Sequence, residues 1–142
     1  MSQDPTPDDF DWVAAQAKCS AAQTFDRLRD GVKADVERRN RLLVRGDGWK
    51  FEFDEDDAGF EAVRIVAPGS TGASGSAAVR FERVGRRIQI QGEDIDVDVT
   101  AVVTLDVSGA CRLVVGEALY SEWEVRRLAL EMLFFEETED DE

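Results

Sequence analysis

The spacing of apolar residues changes from a helical period to a strand period near residue 49. Between residues 8 and 44, apolar side chains recur at intervals of three, four, four and seven residues, which predicts one long helix or two in series. They are Phe25, Leu28, Val32, Val36 and Leu43. Gly31 interrupts this stretch and predicts a kink, since glycine weakens a helix interior. Gly46 and Gly48 predict where the helix stops.

The chain beyond residue 49 alternates apolar and polar residues, and this period of two is typical of β-strands. Turn residues near 54–59, 85 and 108–109 separate successive strands, and a Gly/Ser-rich loop covers 68–76. The predicted sheet is an antiparallel meander of five to six strands, with one covered face and one face open to water. Its apolar face is expected to include Ile95, Val97, Val99, Val103, Leu105, Leu113 and Val115.

A second helix is predicted at the end of the domain, because Ser121 and Glu124 have the spacing of a capping box. One apolar stripe of this helix consists of Val125, Leu128, Met132 and Phe135. Other faces carry Trp123, Leu130, Leu133 and Phe134. A helix that is apolar on most sides must be buried on more than one of them. The predicted fold is therefore α+β: a long N-terminal helix, the sheet, and a C-terminal helix packed across it.

The charge of the chain is concentrated at its ends. The 142 residues fit one domain, which we expect at 8–135, between disordered acidic tails at 1–7 and 136–142. The net charge is −14, but the first 11 and the last 7 residues carry ten of the acidic groups. The 21 acidic residues between them face 17 basic ones. Nucleic-acid mimicry would need charge on a rigid surface and is not predicted. A nucleic-acid partner is not expected either.

Composition bears on the environment of the protein. Fourteen arginines accompany only three lysines, which favours a salt-rich source, although a GC-rich genome would give the same bias. No apolar run is long enough to span a membrane, and the first residues lack the basic and apolar regions of a secretory signal. Cys19 and Cys111 lie far apart and in no CxxC pair, so we expect reduced, buried thiols. These features predict a cytoplasmic protein.

Three aspartates at alternate positions, Asp94, Asp96 and Asp98, raise the question of a metal or catalytic site. On a strand they would share one face, about 6.5–7 Å apart, which is too far for two of them to bind one ion unaided. The apolar residues from Ile95 onward would occupy the other face. We therefore interpret the acidic row as the hydrated side of a sheet.

Several kinds of chemistry lack their residues in this sequence. The chain has no histidine, which removes His-dependent nucleophilic catalysis and His-ligated zinc. Residues 54–65 resemble a calcium loop at Asp54, Asp56 and Gly59, but Ala58 and Ile65 replace two ligands, so a hairpin turn is expected. We predict no catalytic, cofactor-binding or metal-binding residue, and a non-catalytic protein.

Two groups of residues remain as candidate contacts. The first is the basic helix end with Arg38, Arg39, Arg41 and Arg45, which could bind an anion or a partner; a further basic group is Arg83, Arg86 and Arg87. The alternative is that these arginines pair with acidic neighbours such as Asp35. The second group is the candidate interface or pocket of Trp123, Met132, Phe134 and Phe135.

The predicted function is a protein-interaction module, adaptor-like or chaperone-like, that self-associates. A homodimer is expected because the C-terminal helix has more apolar surface than one partner can cover. A further, unidentified protein partner is compatible with the same surface. The alternative function is small-molecule binding in an apolar pocket between the sheet and the C-terminal helix. No cofactor is predicted.

Overall fold

A computed structural model describes residues 10–42, 49–66 and 76–135 of the chain. The helices are α1 (Trp12–Lys18), α2 (Ala21–Arg41) and α3 (Glu122–Phe135). The strands are β1 (Trp49–Glu55), β2 (Gly59–Val66), β3 (Ala77–Val84), β4 (Arg87–Glu93), β5 (Asp98–Leu105), β6 (Cys111–Val115) and β7 (Ala118–Tyr120). Both acidic tails, Leu43, Gly46, Gly48 and residues 68–75 of the Gly/Ser loop lie outside the described residues. α2 ends at Arg41 with Leu42 as its C-cap, so the predicted continuation of the helix toward Gly46 is wrong.

The predicted α+β fold and antiparallel meander are confirmed. Each strand pairs with the next in sequence, so the spatial order is β1-β2-β3-β4-β5-β6-β7. The described residues form seven strands rather than five to six. The strand that the sequence did not reveal is β7, whose three residues pair with β6 from Leu113↔Tyr120 to Val115↔Ala118. Three residues are too few for a period of two to be recognised.

The two helices α2 and α3 cover the same face of the sheet. Phe25 of α2 contacts Phe60, with 4.9 Å between ring centroids, and Phe134 of α3 contacts Phe51 at 5.0 Å. Phe51 and Phe60 point to one side, because Phe60 pairs with Glu55, four residues along β1 from Phe51. The predicted apolar face is confirmed: Val103 and Leu113 are buried, and Ile95, Val97, Val99, Leu105 and Val115 pack against the core.

The N-terminal helical region breaks at Ser20 and not at Gly31. The Ser20 side chain accepts a hydrogen bond of 3.0 Å from the Gln23 N–H and caps α2, which then continues without interruption to Arg41. Gly31 leaves room for the side chain of Arg126, because a Cβ atom there would lie 2.7 Å from Arg126 Nη1. α2 is therefore one uninterrupted helix through Gly31, and the glycine serves helix–helix packing.

The buried side of α3 differs from the predicted stripe. Val125 is buried as expected, but the other buried residues are Ala129, Leu130, Leu133 and Phe134. The remaining stripe residues, Leu128, Met132 and Phe135, are between 41% and 49% exposed. The even spread of apolar residues around this helix could not reveal its rotation over the sheet. The consequence is an apolar surface of α3 that faces outward.

Polar contacts join α2 to α3 along their length. Arg27 Nε lies 2.8 Å from Glu122 Oε2 at the start of α3, and Arg126 Nε lies 2.7 Å from Asp35 Oδ2. Residue numbers rise together along this seam, so the two helices run in the same direction. They lie side by side on the sheet, with a groove between them.

The two cysteines form a disulfide, which contradicts the prediction of reduced thiols. Cys19 lies between α1 and α2, and Cys111 begins β6; their sulfur atoms are bonded across a separation of 92 residues. Sequence distance gave no sign of this pairing, because it depends on where the start of α2 meets the sheet. The disulfide ties the first two helices to β6.

The row of Asp94, Asp96 and Asp98 begins in the turn that precedes β5. Asp94 has a positive φ of 61°, and the Gly92 N–H donates to the Val97 carbonyl over 2.7 Å, so residues 94–97 form a turn and β5 starts at Asp98. The prediction of an extended chain from Asp94 is thus wrong at its start. All three aspartates are exposed, as expected for a hydrated side. Among the described residues, no group of three or more potential ligands could hold a metal ion.

Candidate functional site

The candidate site is the groove between α2 and α3, with a volume of about 380 Å³. From α2 and its C-cap it is lined by Asp35, Arg38, Arg39 and Leu42. From α3 it is lined by Trp123, Arg126, Arg127, Leu130, Glu131, Phe134 and Phe135. Its floor is apolar and its rim is charged, which suits an amphipathic partner. We call it the α2–α3 groove.

The structure brings together residues that the sequence placed in two separate groups. Arg38 and Arg39 from the basic group meet Trp123, Phe134 and Phe135 from the aromatic group in this one groove. Arg41 and Met132 lie outside the lining, and Arg45 lies outside the described residues. The lining comes from two helices, so the expected location between the sheet and the C-terminal helix is wrong for this groove.

Asp35 organises the charges at the rim. Its Oδ1 lies 2.8 Å from Arg38 Nη1, and its Oδ2 lies 2.7 Å from Arg126 Nε. One carboxylate therefore sits between two guanidinium groups, as expected from the alternative in which the basic helix end pairs with acidic neighbours. The rim retains a positive balance, because three arginines other than the buried Arg39 face two carboxylates around the groove.

Arg39 is a structural residue and not a surface cation. It is only 4% exposed, and its Nε donates to the Phe134 carbonyl over 2.9 Å. Its guanidinium carbon lies 4.8 Å from the centroid of the Phe51 ring and 5.1 Å from that of Phe135. A cation at the carboxyl end of a helix is favourable, and contact with ring faces adds to this. Arg39 thus holds the last turn of α3 in place.

The outward surface of α3 carries a row of residues four apart, which we call the α3 ridge: Trp123, Arg127, Glu131 and Phe135. Trp123 is 57% exposed and Phe135 is 49% exposed. Between these aromatic ends, Arg127 Nε and Glu131 Oε1 form an exposed ion pair of 3.4 Å. The ridge is one wall of the α2–α3 groove, and Leu128 and Met132 lie next to it. The sequence showed these residues without showing that they share a surface.

The other predicted contacts have local structural roles. Arg86 donates to the Val103 carbonyl over 2.7 Å and Arg83 to the Gly85 carbonyl over 3.0 Å, so these two arginines hold their own hairpin and the neighbouring strand. Arg87, the third member of that basic group, is exposed. Asp56 closes the β1–β2 turn through the N–H groups of Ala58 and Gly59, which confirms the hairpin in place of a calcium loop. The Arg80 guanidinium beside Asp56 holds the pKa of that carboxyl below its usual range.

Comparison of the chain with protein family models, with curated proteins and with solved structures finds no match. No helix among the described residues is long and apolar enough to cross a membrane.

Proposed function

We propose that the protein is a non-catalytic interaction module that self-associates by pairing its α3 ridge with the same ridge of a second copy. The observation that carries this proposal is the order of residues along the ridge. It reads aromatic, positive, negative, aromatic, from Trp123 through Arg127 and Glu131 to Phe135. When the ridge of a second copy runs in the opposite direction, its negative residue comes opposite the positive residue of the first copy.

A two-fold axis that crosses the ridge midway between Arg127 and Glu131, at the level of the buried Ala129, makes the ridge complementary to itself. Residues 127 and 131 are equally distant from Ala129, so Arg127 of one copy comes opposite Glu131 of the second in an antiparallel pair. Residues 123 and 135 are also equally distant from it, so Trp123 comes opposite Phe135 of the second copy. Such isologous interfaces are the commonest form of homodimer. Rows of residues four apart pack against each other in the commonest class of helix contact.

The groove and the apolar residues next to the ridge favour burial of this surface. Leu128 and Met132 are each 41% exposed, and Leu42 at the groove is 52% exposed. Removing apolar area from water stabilises a complex by about 25 cal/mol per Å² before the cost of association. Aromatic and arginine residues are also those enriched at the centres of protein interfaces. A ridge from the second copy would lie along the α2–α3 groove and cover these side chains.

Charge reversal on the ridge tests the proposal. Unmodified protein should sediment as a dimer with twice the chain mass of 15.8 kDa. Arg127→Glu and Glu131→Arg should each weaken the dimer by about tenfold or more, because the two-fold axis places like charges opposite each other twice. The double variant with both changes restores opposite pairs and should recover the dimer. Analytical ultracentrifugation over a wide concentration range measures all four proteins.

Arg87→Glu is the matched control, because it makes the same charge change at an exposed position on the other face of the sheet. This variant should remain a dimer. Circular dichroism shows whether each variant retains its fold. A monomeric unmodified protein would overturn the proposal, and so would a double variant that dissociates as readily as the single ones.

The size of the groove also favours the alternative function of small-molecule binding. A volume of about 380 Å³ lies in the range of ligand sites, and an apolar floor with an arginine rim suits an apolar molecule that ends in a carboxylate. The two functions differ in whether a second copy of the chain is needed. A ligand site requires no second chain, whereas the α3 ridge is functional only when two chains meet.

A further inference from the structure

β1 is an edge strand, and its outer side is closed at one residue by a side chain. β1 is first in the sheet and pairs only with β2 among the described strands. The Phe51 N–H donates to Asn40 Oδ1 over 3.0 Å, and the Phe51 carbonyl accepts from Asn40 Nδ2 over 2.8 Å. The Asn40 amide thus takes the place that one residue of a neighbouring strand would occupy.

The next outward-facing backbone groups of β1 are at Phe53 and Glu55. Backbone groups of an antiparallel strand point alternately toward and away from the paired strand. The backbone groups of Phe51 point away from β2, so those of Phe53 and Glu55 do so as well. The Asp56 N–H donates to the Gly59 carbonyl, which shows that the alternate residues point toward β2. Within the described part of the chain, no hydrogen bond reaches the outward groups of Phe53 or Glu55. Among the described residues, nothing occupies these groups in place of an added strand.

A cleft of about 530 Å³ follows this edge. Its lining consists of Lys33, Val36 and Glu37 from α2 with residues 51–55 of β1. Successive residues of a strand point to opposite faces, so a cleft that touches all five must lie along the edge of β1 and not on one face. A strand hydrogen-bonded to Phe53 would occupy this space.

The negative charge of the cleft favours a basic occupant. Its acidic residues are Glu37, Glu52, Asp54 and Glu55, and its only basic residue among those described is Lys33. A second copy pairing through the same edge would place Glu52 opposite Asp54, and like charges opposite each other destabilise a strand pair. An extended segment rich in lysine or arginine would instead meet opposite charges.

We infer that the β1 edge is a second binding surface, where an extended basic segment of a partner protein adds to the sheet as a strand. Backbone hydrogen bonds at Phe53 and Glu55 hold this segment, and the carboxylates around the cleft select its charge. Asn40 limits the pairing, since its amide blocks the edge at Phe51. This mode of recognition is β-augmentation.

A short peptide of alternating lysine and valine is the probe, and an alternating glutamate and valine peptide is its control. Fluorescence anisotropy should show binding of the basic peptide and none of the acidic one. Hydrogen exchange on the unmodified protein should slow at the Phe53 N–H when the basic peptide binds. This second measurement needs no variant, so it does not depend on how any substitution affects folding.

Two substitutions should change the affinity in opposite directions. Asn40→Ala opens the two backbone groups of Phe51 and should tighten binding by about tenfold. Glu55→Pro removes an outward N–H and should weaken binding by about tenfold relative to Glu55→Gln, which removes only the charge. Simple charge attraction predicts equal affinity for Asn40→Ala and the unmodified protein.

Three results would overturn the inference. The first is failure of the basic peptide to bind the unmodified protein. The second is unchanged exchange at Phe53 when the peptide does bind, which would place it elsewhere. The third is equal affinity of Glu55→Pro and Glu55→Gln together with no effect of Asn40→Ala.

Discussion

The Asp106 carboxylate closes the turn between β5 and β6. Its Oδ1 accepts hydrogen bonds from the Ser108 hydroxyl at 2.6 Å and the Ala110 N–H at 3.0 Å, and Arg112 Nε lies 3.2 Å from its Oδ2. These groups, the Ser108 hydroxyl first, hold the pKa of Asp106 well below its usual value. As the pH falls, the unfolded chain takes up this proton first. The stabilisation is thus complete above about pH 4 and is lost as the pH falls toward the folded-state pKa.

Asp106→Asn should therefore reduce the acid sensitivity of the fold. The variant should be less stable than the unmodified protein at neutral pH, and its stability should fall less between about pH 4 and pH 2. Urea unfolding followed by circular dichroism across this pH range measures both effects. Asp57→Asn is the matched control, because it removes the same charge from an exposed position. Parallel pH profiles for Asp106→Asn and the unmodified protein would contradict the assignment.

The role of a single residue could be predicted from the sequence where its contact partner lies only a few residues away. The capping box at Ser121 and Glu124 is confirmed, with 2.8 Å from the Ser121 N–H to Glu124 Oε1, because three residues of spacing define it. Asn40 and Arg39 contact groups 11 and 95 residues away, Phe51 and Phe134. Their roles depend on where α2 ends over the sheet and beside α3. No local pattern contains that information.

At the scale of elements, the boundary between α1 and α2 depends on Ser20. Ser20→Ala removes the acceptor for the Gln23 N–H and should lower the free energy of unfolding by about 1 kcal/mol. Ser76→Ala, at an exposed position before β3, is the control and should have little effect. Chemical unfolding of both variants tests this. Equal stability of the two variants would show that α2 does not require this cap.

The elements themselves show which patterns carry information. The alternation in the β-region predicted the covered side of the sheet, because a strand has only two faces and one of them is apolar here. The stripe in α2 also predicted its buried residues, since Leu28, Val32 and Val36 all face the core. α3 is apolar around most of its circumference, so its sequence could not select between burying Leu130 and burying Leu128. Because only one side of α3 faces the core, the apolar residues on its other sides include those of the exposed α3 ridge.

At the scale of the whole molecule, the fold class follows from the order of the elements, but the candidate site does not. The α2–α3 groove combines segments around residues 35–42 and 123–135, and only the parallel arrangement of the two helices brings them together. The self-association predicted from the apolar excess of the C-terminal helix is thereby given a specific surface and remains a proposal. The β1 edge needed the sheet order and the position of Asn40 before it could be recognised.

The disulfide joins the N-terminal helices to β6 and bears on where the protein works. Disulfides persist in oxidising compartments and are rare in the cytosol of most organisms. The cytoplasmic location predicted from the sequence remains a prediction, and the bond between Cys19 and Cys111 argues for an oxidising environment instead. It fixes the start of α2 on β6, while the salt bridges to α3 hold α2 farther along its length.

Reduction of this bond should destabilise the whole domain. A cross-link over 92 residues restricts the unfolded chain, and its loss should cost about 4 to 5 kcal/mol. Urea unfolding with and without dithiothreitol measures this for the unmodified protein. The double variant Cys19→Ser and Cys111→Ser should match the reduced protein and should not respond to dithiothreitol. Identical unfolding of the oxidised and reduced protein would contradict the expected stabilisation.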